Sequence, residues 1–181
     1  MDYKFFGDWT DTTDLTGQNS GKHDLLDVGG GLDYTDAQGA AALRYSIDAQ
    51  YQIAHKLALL VAGYGNHFDF RGNAPGVAGS QKNFGAQVEG GYSLTPSWQL
   101  VARYSVVKLD KAFKLAGTGT FQEFAIGANW FGPNGAWGNH AKFTLDLNYL
   151  PSGSPGAGGL DYLASPGEDE LVLRMQFQLW L

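Results

Sequence analysis

The stretch Glu170-Leu-Val-Leu-Arg-Met-Gln-Phe-Gln-Leu-Trp-Leu181 sets the reading of the whole chain. Leu171, Leu173, Met175, Phe177, Leu179 and Leu181 fall on one parity, and Glu170, Arg174, Gln176 and Gln178 on the other. Successive side chains of an extended backbone point to opposite sides, so a period of two predicts a strand with one apolar and one polar face. Its span, residues 170–181, exceeds the roughly five or six residues usual in a water-soluble sheet. The apolar stripe also runs to the last residue, where a terminus in water would normally fray. Lipid is the expected neighbour of this face.

The same alternation recurs upstream. Asp2 to Trp9 sets Tyr3, Phe5, Gly7 and Trp9 against Asp2, Lys4, Phe6 and Asp8, and His23 to Thr35 sets Leu26, Val28, Gly30, Leu32 and Tyr34 against Asp27, Gly29, Gly31 and Asp33. Leu43 to Ile53 opposes Tyr45, Ile47 and Tyr51 to Arg44, Asp48, Gln50 and Gln52. Leu57 to Phe70 is apolar on both parities; the expectation is that Leu60, Ala62 and Tyr64 share the apolar face. Phe84 to Leu94, Trp98 to Val107, Phe121 to Phe131 and His140 to Leu150 then alternate in turn, which makes nine predicted strands with the closing one. Turn residues punctuate them at Asp36 to Gly39, Ala54 to Lys56, Thr95 to Ser97 and Gly132 to Gly135.

The connections alternate in length from the fourth strand onward. Short turns at Ala54, Thr95 and Phe131 trade places with long loops at Arg71, Lys108 and Ser152. Outer-membrane barrels have short periplasmic turns and longer extracellular loops, and a tilted ten-residue strand rises on the order of 23 Å, close to their apolar band of about 25 Å. Tyr34, Tyr92, Trp98, Trp130 and Tyr149 sit near strand ends, where an aromatic girdle is expected. The fold class expected is an all-β antiparallel transmembrane barrel of the outer-membrane porin type, residues 1–181 forming one domain or the C-terminal part of one.

Composition narrows the function. The 26 glycines, roughly twice the average share of about 7%, with 11 Phe, 9 Tyr and 5 Trp, favour strands and tight turns over helix. A net charge of −6 without a basic run gives no footprint for nucleic acid. Without cysteine there is no disulfide, thiolate nucleophile or Cys-based zinc site. No run approaches the eighteen or so apolar residues of a membrane helix, and Met1-Asp-Tyr-Lys4 does not open a signal peptide. A mean hydropathy of −0.22 is compatible with a barrel, whose strands are only half apolar.

Specific segments resemble a known family. Gly91-Tyr-Ser-Leu-Thr-Pro-Ser-Trp-Gln-Leu-Val-Ala-Arg-Tyr-Ser105 looks like a tight turn of the phosphate-selective porin O and P family. Gly127-Ala-Asn-Trp-Phe131 followed by His140-Ala-Lys-Phe-Thr-Leu-Asp-Leu-Asn-Tyr149 resembles its penultimate hairpin, and Leu171 to Leu181 its closing strand. The resemblance covers nearly the whole chain. It implies the C-terminal half of a sixteen-stranded outer-membrane barrel, usually a homotrimer, that passes small hydrophilic solutes or ions, phosphate among them. An odd strand count agrees with a part of a larger barrel, because single-chain bacterial barrels have even numbers.

On the parity argument the residues expected to line the pore are Arg44, Asp48, Glu89, Arg103, Glu123, Lys142, Asp146 and Arg174. The cations either meet passing anions or pair across strands, Lys142 with Glu123 and Arg174 with Asp146, and pairing is the weightier reading. Five basic against eight acidic side chains on this parity do not make an anion filter, so general diffusion is expected. No cofactor is expected. His23, His55, His67 and His140 lack metal-ligand spacing, Asp8, Asp11 and Asp14 read as a solvated turn, and no nucleophile and base stand at recognisable spacing. Two alternatives remain: an OmpA-like eight-stranded structural barrel without an open pore, and a soluble lipocalin-like barrel, whose G-x-W motif Gly7-Asp8-Trp9 matches.

Overall fold

The computed structural model describes residues 1–10, 12, 23–37, 39–70, 79–111, 118–132, 141–154 and 166–179. The expectations for Asp11, Asp14, His140 and Leu181 lie outside them. Nine strands form one antiparallel sheet in sequence order. They are β1 (Asp2–Phe6), β2 (Leu25–Ala37), β3 (Ala40–Ile53), β4 (Leu57–Phe70), β5 (Ser80–Thr95), β6 (Trp98–Lys108), β7 (Thr120–Phe131), β8 (Ala141–Leu150) and β9 (Glu170–Leu179). Each pairs with its sequence neighbours, and β1 and β9 stand at opposite edges, so the sheet is open. No helix among the described residues is long and apolar enough to cross a membrane.

β1 is shorter than its alternation predicts. A bulge falls between Lys4 and Phe6, and Gly7 follows with φ +94°, a left-handed conformation that ends the extended run before Trp9. At the same point the backbone comes so close to β2 that a Cβ on Gly7 would stand 2.8 Å from the Asp24 carbonyl oxygen.

The faces of β4 are the reverse of the expectation. Val61 pairs with Ala49 and Val88, and Leu59 with Tyr51 and Gly90, so Leu57, Leu59 and Val61 share the apolar face. Leu60 stands between Gln50 and Glu89, and Tyr64 between Ser46 and Gly85, on the polar face. Because both parities of β4 begin apolar, its own pattern is silent; the alternation of β3 and β5 decides, since directly opposed residues share a face. The Tyr64 ring lies against Gly85, and on the opposite face the Tyr45 ring lies against Gly65. Glycine at these two places leaves room for an aromatic ring flat on the neighbouring strand.

At one end of the sheet the short turns are laced together. The Asp24 carboxylate accepts from Ala54 N (2.9 Å), Lys56 O from Ser93 N (2.8 Å) and Ser97 O from Phe131 N (2.9 Å). In the Thr95-Pro96-Ser97 turn, Thr95 Oγ1 accepts from both Ser97 N and Trp98 N, at 3.2 and 3.1 Å. His55 holds φ +56° in the β3–β4 turn, a conformation that costs a side-chain-bearing residue about 1–2 kcal/mol. His55→Gly is expected to raise stability by about 0.5–1 kcal/mol, after the flexibility glycine adds to the unfolded chain, read as a higher urea midpoint.

Candidate functional site

The distribution of burial is inverted relative to a water-soluble sheet. On one face Ile47, Val61, Ile126, Leu147, Leu173 and Met175 are exposed, Ile126 and Leu173 by 64% each. On the other, Gln50, Gln52, Gln99, Asn129 and Asn148 are buried. Monomeric soluble proteins rarely leave a contiguous apolar surface above a few hundred Å² open to water.

The apolar face carries two aromatic rows fixed by strand register. Trp98, Trp130, Phe143 and Phe177 stand opposite one another across β6, β7, β8 and β9 near the short-turn end. Six residues up β6, Tyr104, Phe124 and Tyr149 form a second row, the first two rings 4.9 Å apart. Between the rows the positions hold Leu100, Ala102, Ala128, Ile126, Leu145 and Leu147.

The polar face brings together all eight residues singled out from the sequence. Register sets Arg44 opposite Asp33 and Asn66, Asp48 opposite Gly29 and Ala62, Glu89 opposite Arg103, and Asp146 opposite Arg174. Glu123 reaches Arg103 diagonally: the guanidinium donates to its carboxylate at 2.5 Å, with the two side chains 35% and 16% exposed. Arg44 donates to Asp33 at 2.8 Å in a more exposed pair. Glu89, Arg103, Lys142, Asp146 and Arg174 line one groove of about 1060 Å³, whereas Arg44, Asp48 and Glu123 lie outside it.

The expected pairing of Lys142 with Glu123 does not occur. Lys142 is opposite Phe131, eight positions from Glu123 along β7, which at about 3.3 Å per residue is roughly 26 Å. The register of β7 against β8 fixes this separation, and parity, which reports only the face, carries no information about height.

A hydrogen-bonded chain across the polar face was not among the expected features. Asn129 Nδ2 donates to Gln99 Oε1 (3.0 Å), and Thr144 Oγ1 donates to Asn129 Oδ1 (2.7 Å), joining β6, β7 and β8. The signal for it was present, because all three sit on the polar parity, yet only register shows that they stand in one row. Asn129→Ala is expected to cost about 1–3 kcal/mol, since it removes the donor to the buried Gln99 Oε1 and the acceptor of the Thr144 hydroxyl. A lower urea midpoint with an unchanged slope measures it.

Among the described residues no group of three or more His, Asp or Glu side chains is placed to hold a metal ion. No protein-family model, curated protein or solved structure matches the chain.

Proposed function

We propose that this sheet is part of the wall of an outer-membrane β-barrel of the porin class, its polar face lining a water-filled channel for passive diffusion of small hydrophilic solutes or ions. The observation that carries the reading is the inversion of burial on β2 to β9, strands of 10 to 16 residues that are long enough to cross an apolar band at a tilt, β1 with its 5 residues being the exception. The aromatic rows flanking Ile126 and Leu147 agree with it, since amphipathic rings favour the boundary between lipid and water. Lipid then replaces water on the apolar face. The open edges at β1 and β9 have to find partners, because no unpaired strand edge is stable in hydrocarbon. In the larger barrel that the sequence resemblance implies, further strands supply them, and the homotrimer is part of the same expectation.

A second reading rests on the filled polar face. Phe121, Phe131 and Leu150 join the buried amides there, an arrangement that also suits a closed structural barrel packed with side chains. Planar-bilayer recordings on the detergent-extracted protein separate the two: stepwise conductance supports the channel, and its absence with retained membrane insertion supports the closed barrel. A monodisperse β protein in detergent-free buffer would sink both.

A further inference from the structure

The charges of the polar face are not evenly matched. Arg44 is bonded to Asp33 and Arg103 to Glu123, while Arg174 stands opposite Asp146. On the β1–β3 side, register places Asp2 and Asp48 on either flank of Gly29, and Lys4 and Gln50 on either flank of Asp27. One carboxylate oxygen of Asp2 and both of Asp48 lie within 3.0 Å of the point a Cβ on residue 29 would occupy. Only glycine leaves the space into which both carboxylates lean.

Next to them Asp27 is 9% exposed, and its Oδ1 is buried with no hydrogen-bond partner. The Lys4 ammonium, which register would allow to reach Asp27, lies 5.0 Å from the centre of the Trp9 ring instead. The N-terminal ammonium donates to Gly30 O at 2.7 Å. A buried carboxylate oxygen that accepts nothing draws a proton or a cation. Two further carboxylates lean towards the same gap beside it, Asp2 exposed and Asp48 half-buried, and their combined negative charge attracts a mobile cation.

We infer that the wall built by Asp2, Asp27 and Asp48 on β1–β3 is a station for permeating monovalent cations, which gives the channel a preference for small cations over anions. The inference rests on the channel reading above and deepens it. It concerns passing ions and not a resident metal. Weak binding is what conduction requires, since an ion has to leave as readily as it enters.

Reversal potentials across a planar bilayer under an asymmetric KCl gradient test it. The unaltered protein is expected to pass potassium in preference to chloride. Asp2→Asn combined with Asp48→Asn is expected to lower the permeability ratio roughly two-fold or more towards unity, by removing two of the three wall charges that attract the cation. Lys4→Gln, which deletes only a nearby cation, is expected to raise it. A chloride preference in the unaltered protein overturns the inference, as does a ratio that neither change moves; the latter result means that a shared proton already neutralises the site. Absence of any conductance in the unaltered protein overturns the channel reading itself, and so is distinct from both.

Discussion

Ile126→Arg is expected to destabilise the protein in phospholipid vesicles by about 2–4 kcal/mol, the cost of an arginine near the midplane of a barrel wall. Ile126 lies at the middle of β7, between the two aromatic rows, and is 64% exposed. In water that exposure would make the substitution nearly silent, within about 0.5 kcal/mol. The two environments thus give opposite forecasts for one residue. Reversible urea unfolding in vesicles, followed by tryptophan fluorescence, measures the difference. A change below about 0.5 kcal/mol would remove lipid from the account of the apolar face.

Arg103→Ala is the second large effect. The Arg103 guanidinium stands opposite Glu89 and donates to Glu123, so its removal brings two carboxylates into mutual view across one strand. Breaking a fully buried ion pair costs about 3–5 kcal/mol, and a surface pair about 0–1. With Arg103 35% and Glu123 16% exposed, a loss of about 1–3 kcal/mol is expected. Adding Glu123→Gln to Arg103→Ala should recover part of it, because the carboxylate left behind is then gone. If the double change is as damaging as the single one, the cost lies in lost packing of the arginine stem.

Most of the architecture was legible in the sequence because a strand with two unlike faces writes its period directly into the residues. β9 is the plainest case: Leu171, Leu173, Met175 and Phe177 all lie exposed on one face, as their alternation predicts. The nine strands and their order follow, and β4 has the predicted boundaries. Where the pattern failed, the missing information was held by neighbours. The face of β4 depends on Ala49 and Val88, and the distance between Lys142 and Glu123 depends on the register of β7 against β8. The site was legible as a face and illegible as a map. Parity placed Arg44, Asp48, Glu89, Arg103, Glu123, Lys142, Asp146 and Arg174 together, and register alone distinguished the Arg103–Glu123 pair, the Gln99–Asn129–Thr144 chain and the carboxylates around Gly29. The short first strand was hidden for another reason: apart from Phe6 the alternation from Tyr3 to Trp9 continues, and the bulge between Lys4 and Phe6 with the left-handed Gly7 overrules it.

The strictly sequential strand order has a kinetic consequence. Because each strand pairs only with its neighbours in the chain, every contact between strands closes a loop no longer than one hairpin. The entropy lost in closing such loops is small and grows only slowly with their length. The sheet can therefore zip from any hairpin outward. If the proposed barrel closes, joining the outer edges β1 and β9 to the rest of its ladder is the expected slow step, since that union alone brings together distant parts of the chain or separate chains.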